Sequence, residues 1–434
     1  MKKVLIISYY WPPCGGIGVL RCLKIAKYLR DFGWEPIIFT ADKADYPSID
    51  HTNKKDIHPD TLIIKQNIWE PYHIYRFISG KKKNANVNNV FYTKERKAGL
   101  AHKLSVWIRS NFFIPDARCL WIKPSVKVLL KYLEENHVDA IFSNGPPHSN
   151  TRIATLVKKK TGIPWLADFQ DPWTQIDYFN LLKLTSSGLK KHQRLEQEAF
   201  QQADKITIVS PTWKQELEDI GAENVSVIPW GYDPEDYTHL EYEASGKFII
   251  SHLGILGYDR NPEKLFQVIS ELIIEQAEFS SKILLNFPGQ VDYSVKECIA
   301  KYGLEKYVAL PGNLNRNDAL QSMKDSNILL LLLNKQANAK GRIPGKLFEY
   351  LAVKRPILCL GNPHGDSAMI ITDTNAGVSH NYSNTQEIKT YLKSEFGKFL
   401  SKGGTTDIES NIEDYSILKL THKIAEYLNE IVRD

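Results

Sequence analysis

Apolar residues in this chain follow two alternating rhythms. Residues 4–8 form a short continuous apolar run, the mark of a parallel strand buried on both faces. After a Gly/Pro loop, residues 19–32 carry Leu20, Leu23, Ile25, Ala26 and Leu29 at helical spacing. Gly33 closes that helix, and 36–40 is the next strand. Further strands are predicted at 62–64, 140–143, 165–168, 206–209 and 225–228, with helices between most of them. Residues 229–245 are turn-rich and acidic, and the rhythm then restarts. Strands at 248–253, 282–287, 308–310, 328–333 and 356–360 alternate with helices at 261–278, 295–302, 318–323 and 346–352. Strand–helix alternation repeated in this way predicts doubly wound α/β sheets, one on each side of the interruption. A last amphipathic helix is predicted over 417–432. No internal repeat or low-complexity tract stands out.

The 434 residues suit two domains rather than one core. A hydrophobic fraction of 43% and a charged fraction of 24% are those of a globular protein, and a net charge of +5 is too mild to call for nucleic acid. The five cysteines are scattered without a CxxC pair, which points away from a disulfide framework or zinc site. No apolar run approaches the roughly 20 residues of a spanning helix, and the N-terminal run is too short for a signal peptide. A cytoplasmic location is expected.

The most informative run is RIPGKLFEYLA over 342–352. Pro344 and Gly345 interrupt the preceding element, and a helix with Leu347, Phe348 and Leu351 on its apolar face follows. A helix start offers amide N–H groups to an anion, and Lys346 adds a cation. Glu349, one turn on, could accept hydrogen bonds from a pair of sugar hydroxyls. An ordinary buried helix with a solvated Lys and Glu is the other reading. This run resembles the donor site of GT-B glycosyltransferases, in particular glycosyltransferase family 4. The resemblance implies two Rossmann-like domains facing a central cleft: an acceptor domain over 1–235, a nucleotide-sugar domain over 246–405, and a C-terminal helix segment, 406–434, returning to the first. It also implies that Gly345, Lys346 and Leu347 lie at the donor diphosphate and that Glu349 holds the ribose.

Other loops follow strand ends, where doubly wound sheets bind ligands. Gly15-Gly16-Ile17-Gly18 is not a dinucleotide fingerprint, but the resemblance puts Gly16 near donor phosphates. Arg21, one turn into the helix, could hold an anion, unless the turn has no ligand. In the loop from Ser143 to Ser149, two prolines aim His148 at a site or place a merely structural histidine. Asp168, Asp171 and Trp173 could share a site, with Trp173 as a sugar-stacking platform and Arg21 and Asp168 on the acceptor side; alternatively Asp171 caps a following helix. Family relatives commonly have a His-Asp pair here, and Gln170 stands where the histidine would be. Gly257 and Arg260 match a glycine turn and arginine that grip the diphosphate, although Asn261-Pro262 replaces the usual Lys-Gly. The first of two family glutamates is absent, Gly341 standing in its place, and Arg342 beside it could fill that region of the donor site. The polar loop from Gly361 to Ala368 is a weaker candidate for contacts to base or sugar.

The resemblance implies transfer, with retention and without a metal, from a UDP- or GDP-type sugar to a glycan or lipid-linked acceptor in cell-surface polysaccharide synthesis. Asp171, His148, Lys346 and Arg260 are the candidate catalytic residues, and no cofactor is expected because the nucleotide-sugar is a substrate. A nucleotide-sugar 2-epimerase and a catalytically inactive assembly partner are the alternatives. Residues 81–123 interleave Lys81–Lys83, Lys94, Arg96, Lys97, Lys103 and Arg109 with Phe91, Tyr92, Trp107, Phe112, Phe113 and Trp121. That mix suits an anionic membrane surface on the inner face of the cell membrane, or a solvated basic face. It would also suit single-stranded nucleic acid, which nothing else supports.

Overall fold

A computed structural model describes residues 1–46, 48–69, 100–176, 179–336, 339–404 and 407–433. The chain divides into two compact units. The first comprises the described residues up to Gly231 together with those from Ile417 on, and the second runs from Tyr232 to Ser416.

The first unit holds a seven-stranded parallel sheet: β1 (Lys2–Ile7), β2 (Trp34–Asp42), β3 (Ile63–Asn67), β4 (Ala140–Gly145), β5 (Trp165–Phe169), β6 (Lys205–Ile208) and β7 (Val225–Val227). Their order is β3-β2-β1-β4-β5-β6-β7. The chain winds outward from β1 through β2 and β3, then returns to its other side at β4. Loops after β1 and β4 therefore flank the switch point where such sheets bind ligands. The C-terminal helix Ile417–Arg433 buries Leu420, Ile424, Leu428 and Ile431 in the core that holds Val4, Ile6, Leu23 and Trp34. These positions repeat every three or four residues and form one apolar stripe.

The second unit has six parallel strands: β8 (Phe248–Ser251), β9 (Ile283–Asn286), β10 (Val308–Ala309), β11 (Ile328–Leu332), β12 (Ile357–Leu360) and β13 (Gly377–His380). Their order is β10-β9-β8-β11-β12-β13, which sets the switch between β8 and β11. β11 is Ile-Leu-Leu-Leu-Leu and every residue of it is buried, as a central parallel strand requires.

Several sequence expectations differ from these elements. The helix predicted over 261–278 is two helices, Glu263–Glu275 and Ala277–Lys282. The polar loop expected over 361–368 passes into a helix at Asp366–Asp373, and both β13 and the helix Thr385–Lys402 escaped notice. The units part at residue 231, ahead of the expected boundary. Arg21 binds the carbonyls of Ile228 and Pro229 and keeps that stretch with the first sheet. Asp236 pairs with Arg316 and so belongs to the second. The segment expected over 406–434 is also shared: Ile408 and Asn411 donate to Lys354 and Thr374 of the second unit, and only from Ile417 on does the chain join the first.

Candidate functional site

In the second unit, the helix Lys346–Ala352 is clamped onto the loop that leaves β8. Lys346 Nζ donates to the Leu253 carbonyl at 2.7 Å, and the Leu253 amide donates to Tyr350 Oη at 3.1 Å. Lys346 and Tyr350 stand four residues apart on one helix face, so the main chain of Leu253 is held at both its amide and its carbonyl. His252, buried beside them, bonds through Nδ1 to the Leu330 carbonyl of β11 at 2.8 Å. These contacts bridge β8 and β11 at the switch point. Gly254 has φ +99°, and a Cβ there would lie 3.3 Å from Lys346 Nζ. The next loop packs still closer: a Cβ on Gly289 would come within 2.2 Å of the Gly254 carbonyl oxygen, so only glycine fits.

Lys346 keeps some exposed surface, but its ammonium is enclosed. Desolvation first, and the nearby Arg260 charge second, push its pKa down to about 7, against a partial pull upward from Glu349. Arg260 lies in the short turn Tyr258–Arg260 and forks onto Asp259 at 3.2 and 3.1 Å. A desolvated ammonium with a second positive charge in reach raises the free energy of the empty protein, and an anion at Lys346 would offset that cost. His252 is likewise held well below the usual imidazole range, by burial and then by Lys346.

Glu349 is engaged by a residue that the sequence did not suggest. Arg316, the first residue of helix Arg316–Lys324, donates from Nη1 to Glu349 Oε1 at 2.8 Å, and its Nη2 lies 3.3 Å from Asp236 Oδ2. The signal was nonetheless present. Asn315 caps this helix by accepting from the Asp318 amide, and an Asn-x-x-Asp helix start in the connection that follows β10 puts Arg316 among the strand-end segments.

Other expectations for this site need correction. Gly345 has φ −55° and Gly257 φ −84°, ordinary values open to any residue. The amides of Leu347 and Phe348 turn back onto the carbonyls of Pro344 and Gly345 and are not directed at a ligand, and the Leu347 side chain is core. Arg342 is half-buried, and its carbonyl accepts from Ser367 Oγ at 2.6 Å.

In the first unit, Arg21 and Asp168 face each other and not a ligand. Both are buried, and the guanidinium grips the carboxylate with two bonds of 2.9 and 2.8 Å. Its remaining donors reach the Pro229 and Ile228 carbonyls, and Thr207 adds a bond to Asp168. This network joins the first helix to β5, β6 and the chain after β7. The expected acceptor-side role of these two residues is thus replaced by a structural one.

Trp173 is also buried, at 3% exposure, and its stacking partner is His148. The two rings lie 4.6 Å apart and 4° from parallel. Behind them Trp173 Nε1 donates to His192 Nδ1 at 3.0 Å. Glu196, one turn further along helix Ser186–Gln202, accepts from the amide and hydroxyl of Thr174. Trp173 is therefore the backing of the His148 ring, not an open platform. Burial, then the His192 charge, push the His148 pKa down to about 3, so the imidazole is neutral. Asp116 caps the His148 helix by accepting from the Ser149 amide and hydroxyl, both at 2.8 Å. Gln170 sits behind this loop, with its amide on Asn144. Asp171 is half-buried beside Trp173; no α-helix starts there, and the next one is capped by Thr185. Gly16 has φ +95° at the start of helix Ile17–Tyr28.

Much of the basic-aromatic stretch, residues 81–99, lies outside the described residues. Of the remainder, Trp121 is fully buried and stacked on Phe39 at 5.3 Å, which removes it as a surface anchor. Leu104, Trp107, Ile108 and Phe112 are exposed along helix Leu100–Phe112. Among the described residues no helix is long and apolar enough to cross a membrane, and no group of three or more His, Cys, Asp or Glu is placed to hold a metal ion.

The sequence pattern of Glycosyltransferase Family 4 matches residues 83–236. No curated protein matches the chain. Solved structures match over nearly its whole length. An α,α-trehalose-phosphate synthase (UDP-forming) from Burkholderia vietnamiensis is 10% identical with a TM-score of 0.58, covering 99% of this chain and 100% of that one. S. aureus TarM, solved with fondaparinux, α-GlcNAc-glycerol and UDP, is 12% identical with a TM-score of 0.55, covering 100% and 98%. A UDP-N-acetylglucosamine 2-epimerase assignment from Listeria monocytogenes is 10% identical with a TM-score of 0.54, covering 99% and 96%. At such identities the likeness carries the fold, while the family match adds support for glycosyl transfer. The chain is a GT-B fold protein similar to glycosyltransferase family 4.

Proposed function

We propose that the protein moves a sugar from a nucleoside-diphosphate donor of UDP or GDP type to a hydroxyl of a glycan or lipid-linked acceptor, in cell-surface polysaccharide synthesis. The observation that carries this reading is the desolvated Lys346 ammonium, seated on the Leu253 carbonyl and against Gly254 at the switch point of the second sheet, within reach of the Arg260 charge. As the glycosidic bond to the donor breaks, negative charge develops on the leaving diphosphate. A desolvated lysine and a neighbouring arginine, both held in place before the reaction, stabilise that charge more than they stabilise the ground state. In this reading they do the work that a divalent metal does elsewhere. Glu349 holds the ribose, and the transfer proceeds with retention, guided by a donor phosphate oxygen.

The first unit is assigned the acceptor. A histidine with a pKa of about 3 is a weak proton acceptor at neutral pH, so His148 orients the incoming hydroxyl and does not carry its proton away. The exposed face of helix Leu100–Phe112 suits a membrane surface. Leu104, Trp107, Ile108 and Phe112 lie on neighbouring turns, and Asn111 ties the helix to Thr185 and Lys183, near the exposed Lys190 and Lys191.

The test is a thermal-shift panel of UDP-, GDP-, ADP- and dTDP-sugars, followed by product analysis with the donor that binds. Stabilisation by one donor class and acceptor-dependent release of nucleoside diphosphate are expected. Epimerised nucleotide-sugar without release of diphosphate would make the protein an epimerase. Binding without turnover would make it an assembly partner.

A further inference from the structure

We propose that Arg316 is a positioning residue that fixes the Glu349 carboxylate for a ribose diol, so that the site selects ribonucleoside over 2′-deoxyribonucleoside diphosphates. This rests on the donor-site reading above.

Glu349 follows Lys346 by three residues, which puts ammonium and carboxylate on the same side of the helix. The two charges attract, and Glu349 already acts on Lys346 to raise its pKa. Left to itself, the carboxylate would move to the ammonium and cancel the cation that a diphosphate needs. Arg316 prevents this by taking Oε1 at 2.8 Å. The guanidinium is itself held: Asp236, nearly buried, lies 3.3 Å from Nη2. Asp236 stands in a short turn whose first residue, Asp233, accepts from the Glu235 amide at 3.2 Å. Burial works against the Arg316 charge, yet Glu349, Tyr237 and Asp236 outweigh it and raise its pKa, so the fork stays charged at every working pH.

A carboxylate has about four acceptor positions. With one taken by Arg316, the second oxygen and the remaining lone pair of Oε1 point away from the guanidinium with a fixed spread. Two vicinal hydroxyls match that spread. A 2′-deoxyribose supplies only one donor and leaves part of a desolvated carboxylate unpaired, which costs roughly 10- to 100-fold in affinity.

The experiment is calorimetric titration of the full-length protein with UDP and GDP and with their 2′-deoxy counterparts, for wild type, Arg316→Gln and Arg316→Lys. Wild type is expected to prefer the ribose form by about tenfold or more. Arg316→Gln should bring that ratio close to one, and Arg316→Lys, which keeps the charge without the fork, should restore part of it. A merely structural arginine would lower the melting temperature or weaken both ligands alike while leaving the ratio unchanged, and that result overturns the proposal. Equal binding of both forms by wild type also overturns it, with the donor site intact. Binding of neither form by wild type would remove the donor site and this inference together. Should Arg316→Gln not fold, the ratio in Arg316→Lys decides.

Discussion

The loops at the carboxyl ends of the two sheets treat their charges in opposite ways. In the first unit, Arg21 and Asp168 close on each other, and every donor of the guanidinium that is accounted for meets a carboxylate or a main-chain carbonyl. In the second, Lys346 has no carboxylate bonded to its ammonium among the described residues, and desolvation first, then the charge of Arg260, itself forked onto Asp259, press it toward neutrality. A buried opposite pair that satisfies itself holds elements in place. A desolvated ammonium raises the energy of the empty protein and persists where a ligand of opposite charge compensates it. Position at the binding edge is common to both, so position alone does not tell a structural charge from a functional one.

The largest expected effect separates the two clusters directly. Lys346→Met should lower turnover by roughly 10²- to 10³-fold, because it removes charge stabilisation in the transition state. Its melting temperature without ligand should stay level or rise, since a desolvated ammonium is lost. Arg21→Met should do the reverse. It leaves Asp168 buried and unpaired, with an expected loss of about 3–5 kcal/mol in denaturant unfolding. The molecules that remain folded should bind donor normally.

Glu196 gives a pH-dependent contrast inside the first unit. Burial pushes its carboxyl up to about 7 from an ordinary 4.5, against the bonds from Thr174 and Trp173. Between these values the unfolded chain is ionised while the folded one keeps its proton. Stability therefore falls as pH rises through that window and levels off above it, by about 3 kcal/mol in all. Melting curves from about pH 4 to about pH 8 should show this slope in wild type, and Glu196→Gln should flatten it. The smallest effect concerns His148. His148→Gln should slow acceptor-dependent transfer by roughly tenfold and leave donor binding unchanged. With the imidazole already neutral, wild-type turnover should show no inflection from this histidine near neutral pH.

Apolar runs such as 328–332 and glycine-broken helices were legible because burial on both faces leaves a continuous signal. β13 was not, since Gly377, Val378, Ser379 and His380 are all half-buried at the edge of the sheet and carry no such run. The helix at Asp366 begins behind Gly365, inside a polar stretch that has the composition of a loop. At the sites, residue type and strand-end placement pointed to Lys346, Arg260, Glu349 and His148. They could not say which way Arg21, Asp168 and Trp173 face, because that depends on partners 19 to 208 positions away. Arg316 was missed for the same reason: its partner Glu349 is 33 residues on.

The claim that Lys346 is a desolvated cation awaiting a diphosphate has one direct measurement. Calorimetric titration with the nucleoside diphosphate at about pH 8, in buffers of different ionisation enthalpy, counts the protons taken up on binding. Because the empty protein holds this lysine near 7, mostly neutral under those conditions, ligand binding should draw in close to one proton, and Lys346→Met should abolish both the uptake and most of the affinity. Binding without proton uptake, or undiminished binding by Lys346→Met, would contradict it.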